Sequence, residues 1–202
     1  MPRSIGGNRR VTGSPAGRPG RAQGDAGHTD LLGRRRVPKY HPIVEALGLL
    51  DEANSALGAA RRAARLDASQ RFIHQAQQDL YELMAELGLP PDHPRSIRLL
   101  DAHVAWLDRW LSSLLERVAP TKKFLLPGAS DASAPLDVAR ACVRSAERAL
   151  ARLLHEGDLR NAFSLTYVNR LSLVLFYLAR AEDAAAGVDP DIAAAQDERP
   201  EP

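Results

Sequence analysis

From His41 to about Arg65, apolar residues fall at Ile43, Ala46, Leu47, Leu50, Ala53, Ala56, Leu57 and Ala60. Steps of three and four lay one apolar stripe along a helix. The pattern resumes at Phe72, Ile73, Ala76, Leu80, Leu83 and Leu87, with Ser69 as the expected cap and Gly88, Pro90 and Pro91 as the stop. A third helix is expected to open at Ser96, to carry Ile97, Leu100, Val104, Leu107, Leu111 and Leu114, and to end by Pro120. The fourth runs from about Ser133 to His155, closed by Gly157, and Asp158 is the expected start of a fifth that reaches about Ala186. No alternating strand of useful length appears. Long helices joined by short loops predict an all-α, up-and-down five-helix bundle. Abundant alanine and only 5% aromatic residues suit close helix packing, and no sustained heptad points to a long coiled coil.

Length and composition place this reading in one domain. The 202 residues are 45% hydrophobic and 26% charged, which is ordinary for a globular chain. Net charge is only +2 and much of the positive charge lies before residue 40, so a nucleic-acid-binding body is not expected. The lone Cys142 sits within the fourth helical pattern and excludes internal disulfides; a buried small hydrophobe is the expected role. No apolar run approaches the ~20 residues of a membrane span, and the Gly-, Pro- and Arg-rich start lacks an apolar signal core. The expected organisation is a disordered extension over 1–20, a helical domain over 21–186 and a polar tail over 187–202, in a cytoplasmic protein.

The chemistry concentrates on the fourth helix and the segments flanking it. Arg140, Arg144 and Arg148 are spaced four apart, which stacks them on one face, with Glu147 beside them. Three guanidiniums in a row call for several carboxylates or for a polyanion such as a nucleotide triphosphate; the plainer alternative is a solvated basic face. Gly24-Asp25-Ala26-Gly27-His28-Thr29 is either a simple turn or a phosphate-facing one with Thr29 adding a hydroxyl. The six histidines show no ligand-like spacing, so no protein metal site is expected.

In order along the chain stand Gly24-Asp-Ala-Gly27, Lys39, Asp51-Glu-Ala-Asn54, Phe124-Leu-Leu-Pro-Gly-Ala129, Arg144-Ser-Ala-Glu-Arg148 and Asn169-Arg-Leu-Ser-Leu173. Their order and spacing, across about residues 20–182, resemble the PduO-type ATP:cobalamin adenosyltransferases. The resemblance implies that cobalt(I) of the corrin attacks the 5′ carbon of ATP and expels triphosphate, with Mg2+ accompanying the nucleotide. It implies phosphate and nucleotide binding by Gly24, Asp25, Gly27, Thr29, Lys39, Glu147, Arg148 and Asn169, and a pair between Asp51 and Arg144 across a subunit boundary. Phe124 would lie near the lower corrin face, its alternative being a core plug; Asn169 is otherwise a packed amide. A homotrimer with sites between subunits follows from the resemblance alone, as does a reductase or a B12-dependent enzyme as partner.

Several positions depart from the family pattern. Gln23 closes a segment where Tyr-Thr-x-Thr is usual, Asp30 replaces Ser or Thr, Ala129 replaces a glycine and Asp137 a histidine. Ser145 and Leu173 stand where Arg and Asp are usual, and a compensated loss of a matched pair is the expected explanation. Two readings result: a divergent adenosyltransferase, and a non-catalytic cobalamin- or nucleotide-binding relative that carries or senses its ligand.

Overall fold

The computed structural model describes residues 24–90, 93 and 98–193, so the expected N-terminal extension, Gln23, Ser96 and Ile97 lie outside the described residues. Among the described residues five helices form: α1 (Pro42–Ala63), α2 (Asp67–Gly88), α3 (Asp101–Leu115), α4 (Ser133–Glu156) and α5 (Ala162–Ala186). α1 lies between α2 and α4, α4 between α1 and α5, and α3 beside α5. Phe72 stacks on Trp106 and meets Trp110 edge-on, each at 5.0 Å, and this aromatic cluster closes α2 against α3.

Cross-links fix the directions. Asp79–Tyr167 and Glu86–Ser164 bonds run α2 against α5, whereas Leu99–Asn161 and Asp108–Arg170 contacts run α3 along α5. Glu147–Asn169 and Asp137–Arg180 contacts run α4 against α5. α1, α3 and α5 therefore point one way and α2 and α4 the other, the up-and-down bundle that the helical periodicity predicts. Ala46, Ala53, Ala60, Ala76, Ala139, Ala146 and Ala179 are all 0% exposed, so small side chains do bring the axes together.

Several local expectations are corrected. A two-stranded antiparallel hairpin, β1 (His28–Leu31) and β2 (Arg34–Pro38), precedes α1, where no strand was expected. Ser69 is not a cap; it is buried within α2, and the backbone N–H groups of Arg65 and Leu66 donate instead to the buried Glu182 carboxylate. α3 starts at Asp101, after a buried Leu99 and a Leu100 that is 51% exposed, so Leu100 leaves the expected stripe while Val104, Leu107 and Leu114 are buried as expected. α5 starts at Ala162, not Asp158, because the Asn161 side chain accepts the Phe163 N–H at 3.1 Å. Cys142 is half-buried rather than buried.

α5 is also long and apolar enough, by length and composition, to cross a membrane, against the expectation that no run approaches that. Its apolar residues Tyr167, Val168, Leu171, Val174, Leu175 and Leu178 are bundle core, and Arg180, Glu182 and Asp183 are buried in the same helix. Burial of Tyr167, and secondarily the Asp79 carboxylate that its hydroxyl reaches at 2.7 Å, push the phenol well above its ordinary pKa.

Candidate functional site

The hairpin sits at the end of the bundle where α1 begins. Gly27, at φ 73°, closes a turn in which its N–H donates to the Gly24 carbonyl at 3.1 Å and its own carbonyl accepts the Lys39 N–H at 2.9 Å. A Cβ on Gly24 would stand 3.1 Å from Lys39 Nζ, so glycine lets that ammonium lie over the turn. The Gly27 N–H is thereby already used, and His28 Nδ1 lies 2.9 Å from the Ala26 carbonyl, beside a half-buried Thr29. Gly24, His28, Thr29, Asp30 and Arg36 line a cleft of about 250 Å³. The Asp30 carboxylate accepts the Arg36 N–H at 2.8 Å, where Arg36 takes the left-handed φ of 60°. The departure at Asp30 thus serves the irregular strand.

Tyr40, next to Lys39, shares a cleft of about 550 Å³ with Pro42, Glu45, Leu49, Ser145, Arg148, Ala149 and Arg152. The hairpin end and the Arg148 face of α4 therefore border one groove. Arg148 turns back on its own helix, donating to the Arg144 carbonyl at 2.9 Å and to Ser145 Oγ at 3.1 Å. Among the described residues no carboxylate pairs with Arg140, Arg144 or Arg148. Arg140 keeps a buried Nε without a partner. Of the two explanations for the arginine row, acidic partners within the described chain are thus not the one used.

On the opposite flank of α4, Asn169 Nδ2 donates to Glu147 Oε1 at 2.8 Å. That bond leaves the Asn169 carbonyl oxygen and the second Glu147 oxygen for another molecule. Arg170 Nε, one residue on, stands 2.7 Å from Asp108 Oδ1, an ion pair by distance whose N–H direction falls short of a hydrogen bond.

At the far end of α4 lies the Phe124 loop. Phe124 is 84% exposed, which removes the core-plug alternative. Gly128 takes φ 91°, whereas Ala129 keeps an ordinary backbone, so the loop needs only the first of the two usual glycines. Its backbone is tied by Leu126 N–H to the Asp191 carbonyl and Ala193 N–H to the Phe124 carbonyl, both at 2.8 Å. Residues 191–193 of the expected polar tail thus lie against this loop.

One chain does not bring all the expected site residues together. Phe124 belongs to the end of α4 near Asp137, and Tyr40 to the end near Ala149; twelve residues of helix separate these by about 18 Å. Asp51 lies on the stripe of α1 that includes Asn54, whose carbonyl accepts Gln77 of α2, whereas Glu45 and Leu49 face α4. Asp51 and Arg144 make no ion pair within the chain.

The expected exchange between positions 145 and 173 is also corrected. Ser145 faces the α1–α4 groove, while Leu173, 39% exposed, follows Asn169 by one turn on the other flank. They do not face each other within a chain.

The sequence reading missed Arg180, Asp183 and Ser130. Asp137 Oδ2 accepts Arg180 Nη2 at 3.1 Å and the Gly128 N–H at 3.0 Å. Asp183 accepts Arg180 Nε and Ser130 Oγ, each at 2.8 Å. The available signal was three charged residues, Arg180, Glu182 and Asp183, following the mostly apolar run Leu171–Ala179 of the same helix, since such charges are buried only with partners.

Comparison with known proteins adds an independent line. The sequence model of the family described as cobalamin adenosyltransferase matches residues 21–182. The chain is 39% identical over 162 residues to the corrinoid adenosyltransferase PduO of Citrobacter freundii, covering 79% of this chain and 48% of that protein. It is 36% identical over 163 residues to a corrinoid adenosyltransferase of Mycobacterium tuberculosis, covering 84% of it. A variant of the PduO-type ATP:corrinoid adenosyltransferase from Lactobacillus reuteri, complexed with cobalamin and ATP, superposes with a TM-score of 0.79 at 28% identity, covering 86% of this chain and 97% of that one. A second variant, complexed with ATP, gives a TM-score of 0.73 at 28% identity, covering 85% and 98%. The chain spans about half the length of the first curated relatives it matches, 48% and 49%. It belongs to the cobalamin adenosyltransferase family.

Proposed function

We propose that this member of the cobalamin adenosyltransferase family moves the 5′-deoxyadenosyl group of ATP onto cobalt(I) of a corrinoid. The electron pair of cobalt(I) forms the Co–C5′ bond, the C5′–O bond breaks, and triphosphate leaves with the electrons of that broken bond. The attacking atom belongs to the substrate, so the protein's work is to orient C5′, hold the leaving triphosphate and shape the corrin's surroundings. The observation that carries this is the row of Arg140, Arg144 and Arg148 with no carboxylate partner among the described residues, beside the Glu147–Asn169 pair.

In this reading Arg148 swings from its own helix to the triphosphate, joined by Lys39 and Thr29. Gly24, Asp25 and Gly27 shape the turn that receives the nucleotide with its Mg2+, and Glu147 and Asn169 orient the adenosine. Phe124 offers an exposed aromatic surface to the lower corrin face. The separation of these groups by about 18 Å along α4 favours a site completed by a second copy. Asp51 of one protomer then meets Arg144 of the next, in the proposed homotrimer. A reductase that supplies cobalt(I), or a B12-dependent enzyme that takes the product, is the proposed partner, in the cytoplasm.

The test is direct. Purified protein is mixed with ATP and chemically reduced cobalamin, and loss of the cobalt(I) spectrum is followed. ATP-dependent turnover supports the enzyme, whereas binding of ATP and cobalamin without turnover identifies a carrier or sensor. In a cycle of Asp51→Ala and Arg144→Ala, the double variant should lose less activity than the two singles added. Strict additivity, or a monomer in sedimentation, removes the intersubunit pair.

A further inference from the structure

Two carboxylates converge on one buried guanidinium beneath the Phe124 loop. Arg180 is 6% exposed, Asp137 5% and Asp183 1%, and Arg180 also lies 5.6 Å from the Phe176 ring centroid. Such a cluster is a poor way to gain stability, because desolvating the charges offsets most of their attraction and apolar residues of similar size often do better. What it does provide is directed bonds, and among the described residues those side-chain bonds leave the cluster toward one segment. Asp137 takes the Gly128 N–H, and Asp183 takes the Ser130 hydroxyl. The loop is therefore held at two points, two residues apart, by side chains of α4 and α5. Ser130 is fixed further by reciprocal bonds with Ser133 in the first turn of α4. Above these anchors the loop carries an aromatic ring that is 84% exposed and so gains little from packing within the chain. An exposed ring on a loop tied down from beneath is an arrangement for presenting that ring at a fixed place.

We infer that Asp137 and Asp183 are positioning residues for Phe124, acting through Arg180, Gly128 and Ser130 to hold its ring against the lower face of the corrin. The inference rests on the proposed corrinoid reaction for its target, but the hold on the loop can be measured without any ligand. Neither carboxylate touches substrate in this arrangement. Loosening the loop disturbs the corrin side of the reaction and leaves the nucleotide side, at the other end of α4, as it was.

The experiment compares wild type with Asp137→Ala, Asp183→Ala, Phe124→Ala and the double variant Asp137→Ala/Phe124→Ala. Hydrogen exchange of the ligand-free proteins should show residues 124–130 exchanging about ten-fold faster in Asp137→Ala, with the middle of α4 unchanged. With ATP and cob(II)alamin, electron paramagnetic resonance reads the fraction of cobalt that has lost its lower axial base. That fraction should fall in Asp137→Ala, kcat should fall ~10–100-fold, the range for a slightly misplaced group, and calorimetric ATP affinity should stay within two-fold. Asp137→Ala should cost nothing further in the Phe124→Ala background.

Unchanged exchange at 124–130 overturns the inference. So does faster exchange with an unchanged cobalt spectrum, and so does an equal loss in the Phe124→Ala background. Should Asp137→Ala fail to fold, Ser130→Ala removes one anchor without disturbing Arg180 and is read the same way. A wild-type protein that never alters the cob(II)alamin spectrum sinks the adenosyltransferase reading instead, and the exchange pattern then decides the hold by itself.

Discussion

The two ends of α4 are built on different terms. At the Tyr40 end, the hairpin is held by a short ladder, by Leu32 resting on Gly88 and by Gly33 close to Pro90. Its cations and hydroxyls face open clefts. At the Phe124 end, a buried guanidinium and two buried carboxylates reach up to the loop backbone. The difference teaches where this fold fixes its geometry in advance. In the proposed reaction, a charged, flexible triphosphate recruits lysine and arginine side chains as it arrives, whereas a ring proposed to exclude one ligand from one metal face has to be in place already.

The sharpest way to break this contrast is to remove the centre of the buried cluster. Arg180→Ala leaves Asp137 and Asp183 without their cation and should cost ~3–5 kcal/mol. Lys39→Ala, on the exposed hairpin end, should stay within about 0.5 kcal/mol. Denaturant unfolding of both variants measures the pair, and similar losses would mean that the two ends are not built differently.

Next in size is the recruitment of Arg148. Arg148→Ala should weaken ATP binding by ~1.5–3 kcal/mol, the range for a hydrogen bond to a charged group, with little change in melting temperature. Unchanged ATP affinity by calorimetry would reassign this face of α4.

A glycine substitution sharpens the hairpin side. Gly33 has φ 112°, and an added Cβ would stand 2.7 Å from Pro90 Cδ, so Gly33→Ala should cost ~1–2 kcal/mol of strain and shift the hairpin. Gly27, also at positive φ but with nothing within 4 Å of an added Cβ, should tolerate alanine better. Thermal melts rank the two; the reverse order would place the tight contact elsewhere.

The smallest effect at neutral pH belongs to Tyr167, one turn of α5 or less from Asn169 and so toward the Tyr40 end. Its folded pKa is raised, by burial first and Asp79 second, above the ordinary 10.0. The contribution of the neutral phenol is fully present below about pH 10 and is lost as pH rises from there toward the folded value, by ~1.4 kcal/mol per unit. Tyr167→Phe should flatten that alkaline limb, which unfolding curves between pH 9 and 11 would show.

Much of the bundle was legible because burial imposes a period of about 3.6 residues on every helix. α4 ends at Glu156 with Gly157 at φ 84°, as the pattern predicts. The hairpin was not legible: four and five residues around a Leu32-Gly33 turn are too few for alternation to show, and a bulge between Thr29 and Leu31 breaks what there is. Glu182 could not be foreseen as the carboxylate that receives the α2 start, since 117 residues separate it from Arg65. The motif residues were legible as types in an order. Their division between two flanks and two ends of α4 was not, because spacing along a helix fixes which residues share a face but not which neighbour covers it. The same gap hid that Ser145 and Leu173 lie on different flanks of α4 within a chain.

The last turns of α5 bring a matter of timing. Arg180, Glu182 and Asp183 hold both the start of α2 and the loop before α4, yet they are synthesised after every element they hold. A ribosome that has released α1 to α4 has produced helices able to collapse against one another, with neither the Leu66 N–H nor Ser130 yet satisfied by its native carboxylate. A chain broken off before residue 180 would therefore keep most of its apolar core while presenting an unmoored Phe124 and an uncapped α2. Completion of the polypeptide and competence of the loop become one event.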